Sequence, residues 1–281
     1  MNTLLVIPVY QEEENISKVL YDIEESRANG IPFDILIIDD GSTDSTPVIL
    51  DRLQKDITFD ILMHRENAGY GNALKSGFDS AIQGGYDTII TMDADEQHDP
   101  DFLKSFFATK GADILSGSRY QDIVLGTNSM PPDRFLINMI MTTIVNHLTA
   151  YDLTDSFCGM KAYNVDALKK LDLTGLAEGY EMPLQLLFQA RFNNLSIMEI
   201  PVPLIYKTHE VLAPAPKRLE AYINTVRDEV VRSKKQHIVE LLEKALERRD
   251  GLVNIAVETH AMLEDIIGAQ LPCPRYLRGG L

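Results

Sequence analysis

Carboxylates recur in this chain directly after short apolar runs, and the sharpest case is Asp93-Ala94-Asp95-Glu96-Gln97-His98, which follows Thr88–Met92. An Asp-x-Asp in extended backbone directs both carboxylates to one side of the strand end. That suits a hard divalent cation, Mg2+ or Mn2+, which then shares its remaining oxygens with a diphosphate. An EF-hand loop does not fit, because His98 and Lys104 stand where Gly and Glu are needed. Asp39-Asp40-Gly41-Ser42-Thr43-Asp44 is a second cluster. Its adjacent carboxylates repel one another unless a ribose, a base edge or a metal supplies a partner, and a turn with an N-cap is the plainer alternative. Pro8-Val9-Tyr10-Gln11-Glu12 opens a helix with acidic residues that its dipole favours. In Asn67-Ala68-Gly69-Tyr70-Gly71-Asn72-Ala73-Leu74-Lys75 the glycines let the backbone of a helix start approach a phosphate, with Lys75 one turn in. Neither a P-loop nor a Rossmann spacing is present. Downstream stand Ser116-Gly117-Ser118-Arg119-Tyr120, Arg134, Asp155-Ser156-Phe157-Cys158-Gly159 and Gly179-Tyr180-Glu181. Singly, Arg119 and Arg134 read as surface salt-bridge residues; beside an anion site they become clamps for a phosphate or carboxylate.

These clusters need a scaffold that gathers strand ends. Apolar runs at Thr3–Ile7, Phe33–Ile38, Ile61–Met63, Thr88–Met92 and Asp113–Ser116 alternate with helical spacing over Glu12–Ala28, Val48–Leu53 and Gly69–Gln83. Continuous apolar strands separated by helices predict βαβ units and a mostly parallel sheet buried on both faces, and ligands bind beyond the carboxyl ends of such strands. Further on we expect a loop at Gln121–Asp133, a helix at Phe135–Leu148, a strand at Met160–Tyr163, a helix at Glu181–Phe192 and a strand at Leu195–Pro201. After Ala213-Pro214-Ala215-Pro216 the composition shifts, and helices are expected at Lys217–Arg249 and Leu252–Ile267. The domain expectation is therefore an α/β unit over 1–214 and a helical C-terminal extension over 215–281, the latter a dimerisation element or a cover for an acceptor site.

The chain has 281 residues and a formal net charge of −16, which repels nucleic-acid phosphates and argues against a DNA- or RNA-binding role. Its two cysteines, Cys158 and Cys273, exclude a disulfide scaffold and a metal-spaced thiolate pattern, so a reducing compartment is expected. Met1–Pro8 lacks the basic region of a signal peptide, and Phe135–Leu148 is broken by Asn138, Thr142, Thr143 and Asn146, too polar for a bilayer span. The expectation is a cytoplasmic protein, with Phe135–Leu148 packed on the sheet and peripheral membrane contact as the alternative.

As an ordered set these motifs resemble the inverting nucleotide-sugar glycosyltransferases of the GT-A fold, glycosyltransferase family 2, and within it the branch of dolichyl- and polyprenyl-phosphate mannose or glucose synthases. The likeness is carried by Pro8-Val9-Tyr10 with Glu12, Asp39–Asp44, Asn67-x-Gly69-x-Gly71 with Lys75, Asp93-Ala94-Asp95-x-Gln97-His98, Gly117–Tyr120, Arg134 and Asp155–Gly159, and runs from residue 1 to about 205. It implies a nucleotide site built from Pro8, Val9, Tyr10, Glu12, Asp39, Asp40, Gly69, Lys75, Asp93 and Ala94. It implies Mg2+ or Mn2+ at Asp93 and Asp95 with Gln97, and a catalytic set of Asp95, Arg119, Arg134, Asp155 and Glu181. The donor would be a UDP- or GDP-hexose. A lipid-phosphate acceptor needs cationic clamps at Arg119 and Arg134, whereas a sugar-hydroxyl acceptor needs a general base, Glu181 or Asp155. The chain departs from that branch at Tyr206-Lys207-Thr208-His209-Glu210, where the branch has Arg and then Gly-x-Ser-Lys, and at Asp99, where it has Pro. A nucleotidyltransferase would carry a basic Gly-rich loop, absent from Leu4–Gln11. A non-catalytic nucleotide-sugar-binding module is the remaining class, and the intact Asp93 and Asp95 argue against it.

Overall fold

The structure, a computed structural model, describes residues 2–28, 30, 32–121, 132–205 and 224–225, with the side chains of 132–137 and 140 outside the description. The division expected at 214, the two C-terminal helices and His209 lie outside the described residues.

Seven strands form one sheet: β1 (Thr3–Val9), β2 (Asp34–Asp39), β3 (Asp60–Met63), β4 (Thr88–Thr91), β5 (Ile114–Ser118), β6 (Lys161–Asn164) and β7 (Ile197–Pro201), in the order β3-β2-β1-β4-β6-β5-β7. All neighbours pair parallel except β6, which runs antiparallel to both β4 and β5. The helices are α1 (Ile16–Ala28), α2 (Thr46–Leu53), α3 (Tyr70–Gln83), α4 (Leu103–Ala108), α5 (Pro132–Thr149), α6 (Val165–Leu168) and α7 (Met182–Phe192). The sheet is mostly parallel, as expected.

β1 is buried at all seven positions, which is why it reads as an unbroken apolar run. One face of the sheet packs Leu5, Ile7 and Ile37 against Ile16, Leu20 and Ile23 of α1. The other packs Val6 and Ile38 against Leu74 and Phe78 of α3 and Met182 and Leu186 of α7. Gly77 of α3 permits this contact, since a Cβ there would lie 2.5 Å from Val6 Cγ1. Met141, Ile144 and Val145 of α5 pack with Leu184, Leu187 and Phe188 of α7, with Ile197 of β7 against the same cluster, so α5 lies over α7 at the β7 edge of the sheet. Among the described residues no helix is long and apolar enough to cross a membrane.

Candidate active site

The polar clusters meet at the carboxyl edge of the parallel strands. β1 ends at Val9, and the turn after it is laced to the turn after β2. Gln11 N donates to Ser42 Oγ (3.0 Å), Glu12 N to Thr46 Oγ1 (2.9 Å) and Ser45 N to Glu13 Oε2 (2.8 Å). Gln11 adopts a positive φ of 58° to make that turn, and α1 therefore starts at Ile16, four residues after Glu12. The Glu12 carboxylate accepts from Asn15 Nδ2 at 2.7 Å, while Tyr10 is exposed. Pro8 and Val9 are backbone members of β1.

The two adjacent aspartates have different fates. Asp40 is buried, and its carboxylate accepts from Ala68 N (3.0 Å), Gly69 N (2.8 Å) and His64 Nδ1 (2.6 Å). It fixes the turn that leads into α3. Asp39 is also buried; its Oδ1 accepts from Ser42 N at 2.9 Å, but its Oδ2 has no partner among the described residues. An unpaired buried acceptor is costly, and Asp39 Oδ2 is the atom here that a ribose hydroxyl or base N–H would satisfy.

The Gly69-x-Gly71 segment packs against a second backbone. The first amides of α3 meet no open anion site, because Gly71 N (2.7 Å) and Asn72 N (3.3 Å) both donate to Glu178 O. A Cβ at Gly69 or Gly71 would lie 2.5 Å from the carbonyl oxygen of Glu178 or Ala177, so glycine is required for close packing of two backbones. Lys75, expected at a phosphate, donates from Nζ to Leu176 O at 2.9 Å. This cluster anchors the 176–181 loop.

Asp93 and Asp95 lie beyond β4, which ends at Thr91, in a bent segment rather than in extended strand. Glu96 takes a positive φ of 60°, and Asp95 Oδ1 accepts from Gln97 N at 3.0 Å. Ala94 is buried beneath them. Asp93 Oδ1 accepts from Tyr70 Oη at 2.8 Å, and His98 Nε2 stands 3.3 Å from Oδ2. Burial would raise the Asp93 pKa, but the His98 and Tyr70 hydrogen bonds and the charge of Lys161 more than offset it and hold the carboxyl below its ordinary range. A Cβ on Gly159 would fall 2.0 Å from Asp93 Oδ2, so the backbone there forms a cradle that only glycine leaves open. Two carboxylates with the Gln97 amide are hard oxygen donors of the kind Mg2+ and Mn2+ prefer. Among the described residues no three His, Cys, Asp or Glu side chains converge.

Gly159 ends the segment that Asp155 begins. Asp155 is fully buried and pairs with Arg119 through both oxygens, Nε–Oδ2 at 2.6 Å and Nη2–Oδ1 at 3.0 Å. Asn138 Nδ2 (2.7 Å) and Phe157 N (3.1 Å) also donate to Oδ1. Burial opposes its charge, yet the Arg119 guanidinium holds the carboxyl below the usual range and itself sits well above the ordinary arginine value. So engaged, Asp155 is not placed to take a proton from an acceptor. Arg119 keeps Nη1 outside the fork. Arg134 belongs to the first turn of α5, and its side chain is outside the described set. Glu181 precedes α7, partly exposed, next to Tyr180, whose ring stacks on Tyr70.

Three participants escaped the sequence reading as site residues: Tyr70, Gly159 and Lys161. The first two stand inside motifs already singled out. Lys161 is buried in β6, donates to Cys158 O and lies near both Asp93 and Asp155; its signal was a lone cation in the apolar run Met160–Tyr163.

With this geometry in place, the comparisons with known proteins agree. Residues 4–172 match the family model described as Glycosyl transferase family 2. A polyprenol monophosphomannose synthase from Mycolicibacterium smegmatis is 32% identical over 206 residues, covering 71% of this chain and 76% of that protein. A UDP-N-acetylglucosamine–dolichyl-phosphate N-acetylglucosaminyltransferase from Methanococcus voltae is 30% identical over 223 residues, with 74% and 87% covered. Glucosyl-3-phosphoglycerate synthase from Mycobacterium tuberculosis, solved with phosphoglyceric acid, superposes with a TM-score of 0.61 at 17% identity, covering 81% of this chain and 79% of that one, a likeness of fold. The chain belongs to glycosyl transferase family 2 and is a glycosyltransferase of the GT-A fold.

Proposed function

We propose that the protein transfers a hexose from a UDP- or GDP-sugar to a polyprenyl phosphate, with Mg2+ or Mn2+ and with inversion at the anomeric carbon. The observation that carries this reading is the Asp155–Gly159 segment. One end fixes Arg119 through the two-oxygen fork, and the other cradles Asp93. A cation for an anionic acceptor is thereby held beside the carboxylates of a diphosphate site. Asp93, Asp95 and Gln97 would hold the divalent cation, which supplies neutralisation of the charge growing on the departing nucleoside diphosphate. Asp39 Oδ2 is the acceptor for the nucleoside. Arg119, through Nη1, and Arg134 orient the acceptor phosphate, whose oxygen attacks the anomeric carbon from the face opposite the departing diphosphate. An anionic nucleophile needs no base, which accords with the engagement of Asp155. Relatives named for polyprenol, dolichyl-phosphate and undecaprenyl-phosphate transfer support this acceptor class. A structural neighbour solved with Mn2+ and UDP-glucose supports the donor and cation.

The competing reading is transfer to a sugar hydroxyl in glycan or surface-polysaccharide assembly. The observation in its favour is Glu181, a partly exposed carboxylate beside Tyr180. The test offers polyprenyl phosphate, the corresponding polyprenol and free sugars to the full chain with UDP- and GDP-hexoses and Mn2+. A phosphate-linked product, inverted by NMR and lost in Asp95→Ala, is expected. Transfer to hydroxyl acceptors with polyprenyl phosphate inert would overturn the reading.

A further inference from the structure

Tyr70 opens α3 between Gly69 and Gly71, and nothing in the proposed reaction uses it. Its hydroxyl donates to Asp93 Oδ1 at 2.8 Å. Its ring stacks on Tyr180 with centroids 5.1 Å apart and planes 15° from parallel. The loop that carries Tyr180 is fixed at several points: Glu178 O accepts from Gly71 N and Asn72 N, Leu176 O from Lys75 Nζ, and Gln185 Oε1 from Ala177 N at 2.6 Å. The two glycines that permit this approach flank Tyr70 itself. On the far side of the carboxylate, His98 faces Oδ2 at 3.3 Å and the Gly159 backbone closes against it. Asp93 is thus held from three directions, and its oxygens keep fixed orientations.

We infer that Tyr70 is a positioning residue for the cation site: its hydroxyl orients the Asp93 carboxylate, and the Tyr180 stack on the anchored 176–181 loop locks the Tyr70 ring. The inference rests on the proposed role of Asp93 as a metal ligand. Outer partners that orient a ligating group control affinity, and their loss typically costs about 10–100-fold. The arrangement also ties the cation site to the loop that ends at Glu181, since a displacement of Tyr180 would release the Tyr70 ring.

The test titrates Mn2+ into the full chain holding UDP or GDP and reads bound Mn2+ by electron paramagnetic resonance against protein-free nucleotide. Tyr70→Phe keeps the ring and the stack, so it should melt in EDTA like the wild type while its Mn2+ affinity falls about tenfold or more. Tyr180→Ala should weaken Mn2+ in the same direction, and Tyr180→Phe should restore wild-type affinity. Wild-type or tighter Mn2+ binding in Tyr70→Phe overturns the inference, as does a loss matched by a lowered melting temperature. Asp93→Asn separates the two claims. If it abolishes Mn2+ binding while Tyr70→Phe binds Mn2+ as tightly as the wild type, only the role of Tyr70 falls; if it leaves binding intact, the metal reading falls and takes this inference with it.

Discussion

Around β1–β3 the polar loops are joined by uncharged backbone N–H groups donating to side-chain oxygens: Gln11 to Ser42, Glu12 to Thr46, Ala68 and Gly69 to Asp40. Around β5–β7 the same task falls to buried charges, with Arg119 forked on Asp155 and Lys161 beneath them. The difference predicts unequal tolerance. A net hydrogen bond contributes about 0.5–1.5 kcal/mol, so the donor half should survive single losses. Removing one partner of a buried ion pair costs about 3–5 kcal/mol, because the other charge is left stranded.

The largest expected effect is therefore Asp155→Asn, destabilised by about 3–5 kcal/mol in urea denaturation, against about 0.5–1.5 kcal/mol for Ser42→Ala. Equal losses would erase the contrast between the halves. The same pair gives a pH signature. Arg119 holds the Asp155 pKa below its unfolded value despite burial, so its stabilisation is complete above that unfolded value and disappears as pH falls through the folded one. Wild-type stability should thus drop more steeply than that of Asp155→Asn as pH falls below about 4. Glu199, raised by burial although Thr154 and Asp155 amides bond it, acts with the opposite sign and contributes most below its unfolded pKa.

Next comes Gly159→Ala, whose new methyl would meet the Asp93 carboxylate. Overpacking of this kind costs about 1–3 kcal/mol, and Mn2+ binding should fall more than the melting temperature does. Retained Mn2+ affinity would mean that the cradle and the cation site are separate. The smallest effect belongs to Lys75→Met, which loses one hydrogen bond to Leu176 O. It should cost about 1 kcal/mol and leave the dissociation constant for the donor nucleotide within about twofold. A tenfold weakening would return Lys75 to the diphosphate and show that the Leu176 contact is released on binding.

Much of the donor half was legible because each buried strand there is a continuous apolar run ended by a polar cluster, so strand and site announce themselves together. The helix expected from Glu12 starts at Ile16 because the intervening amides bond the β2 turn, a contact between segments that local spacing does not encode. The two short helices, Leu103–Ala108 and Val165–Leu168, have too few turns to show a period. The direction of β6 is invisible in Met160–Tyr163, since an apolar run reads the same either way. The glycines of Gly69-x-Gly71 signal a close approach, and the Ala177–Glu178 backbone that packs on them is distant in sequence. The partner of Arg119 lies 36 residues away, beyond any motif window.

β6 enters the sheet where its neighbours leave it. β5 runs out at Ser118, and the chain returns at Lys161 on the adjacent, paired strand, with Ser116 opposite Lys161. The end of that excursion reaches back under the donor motifs: Gly159 lies against the Asp93 carboxylate, and its carbonyl accepts from Thr91 Oγ1 of β4 at 2.8 Å. A change of chain length just before β6 would therefore be felt at Asp93, just past a strand that it never joins in sequence.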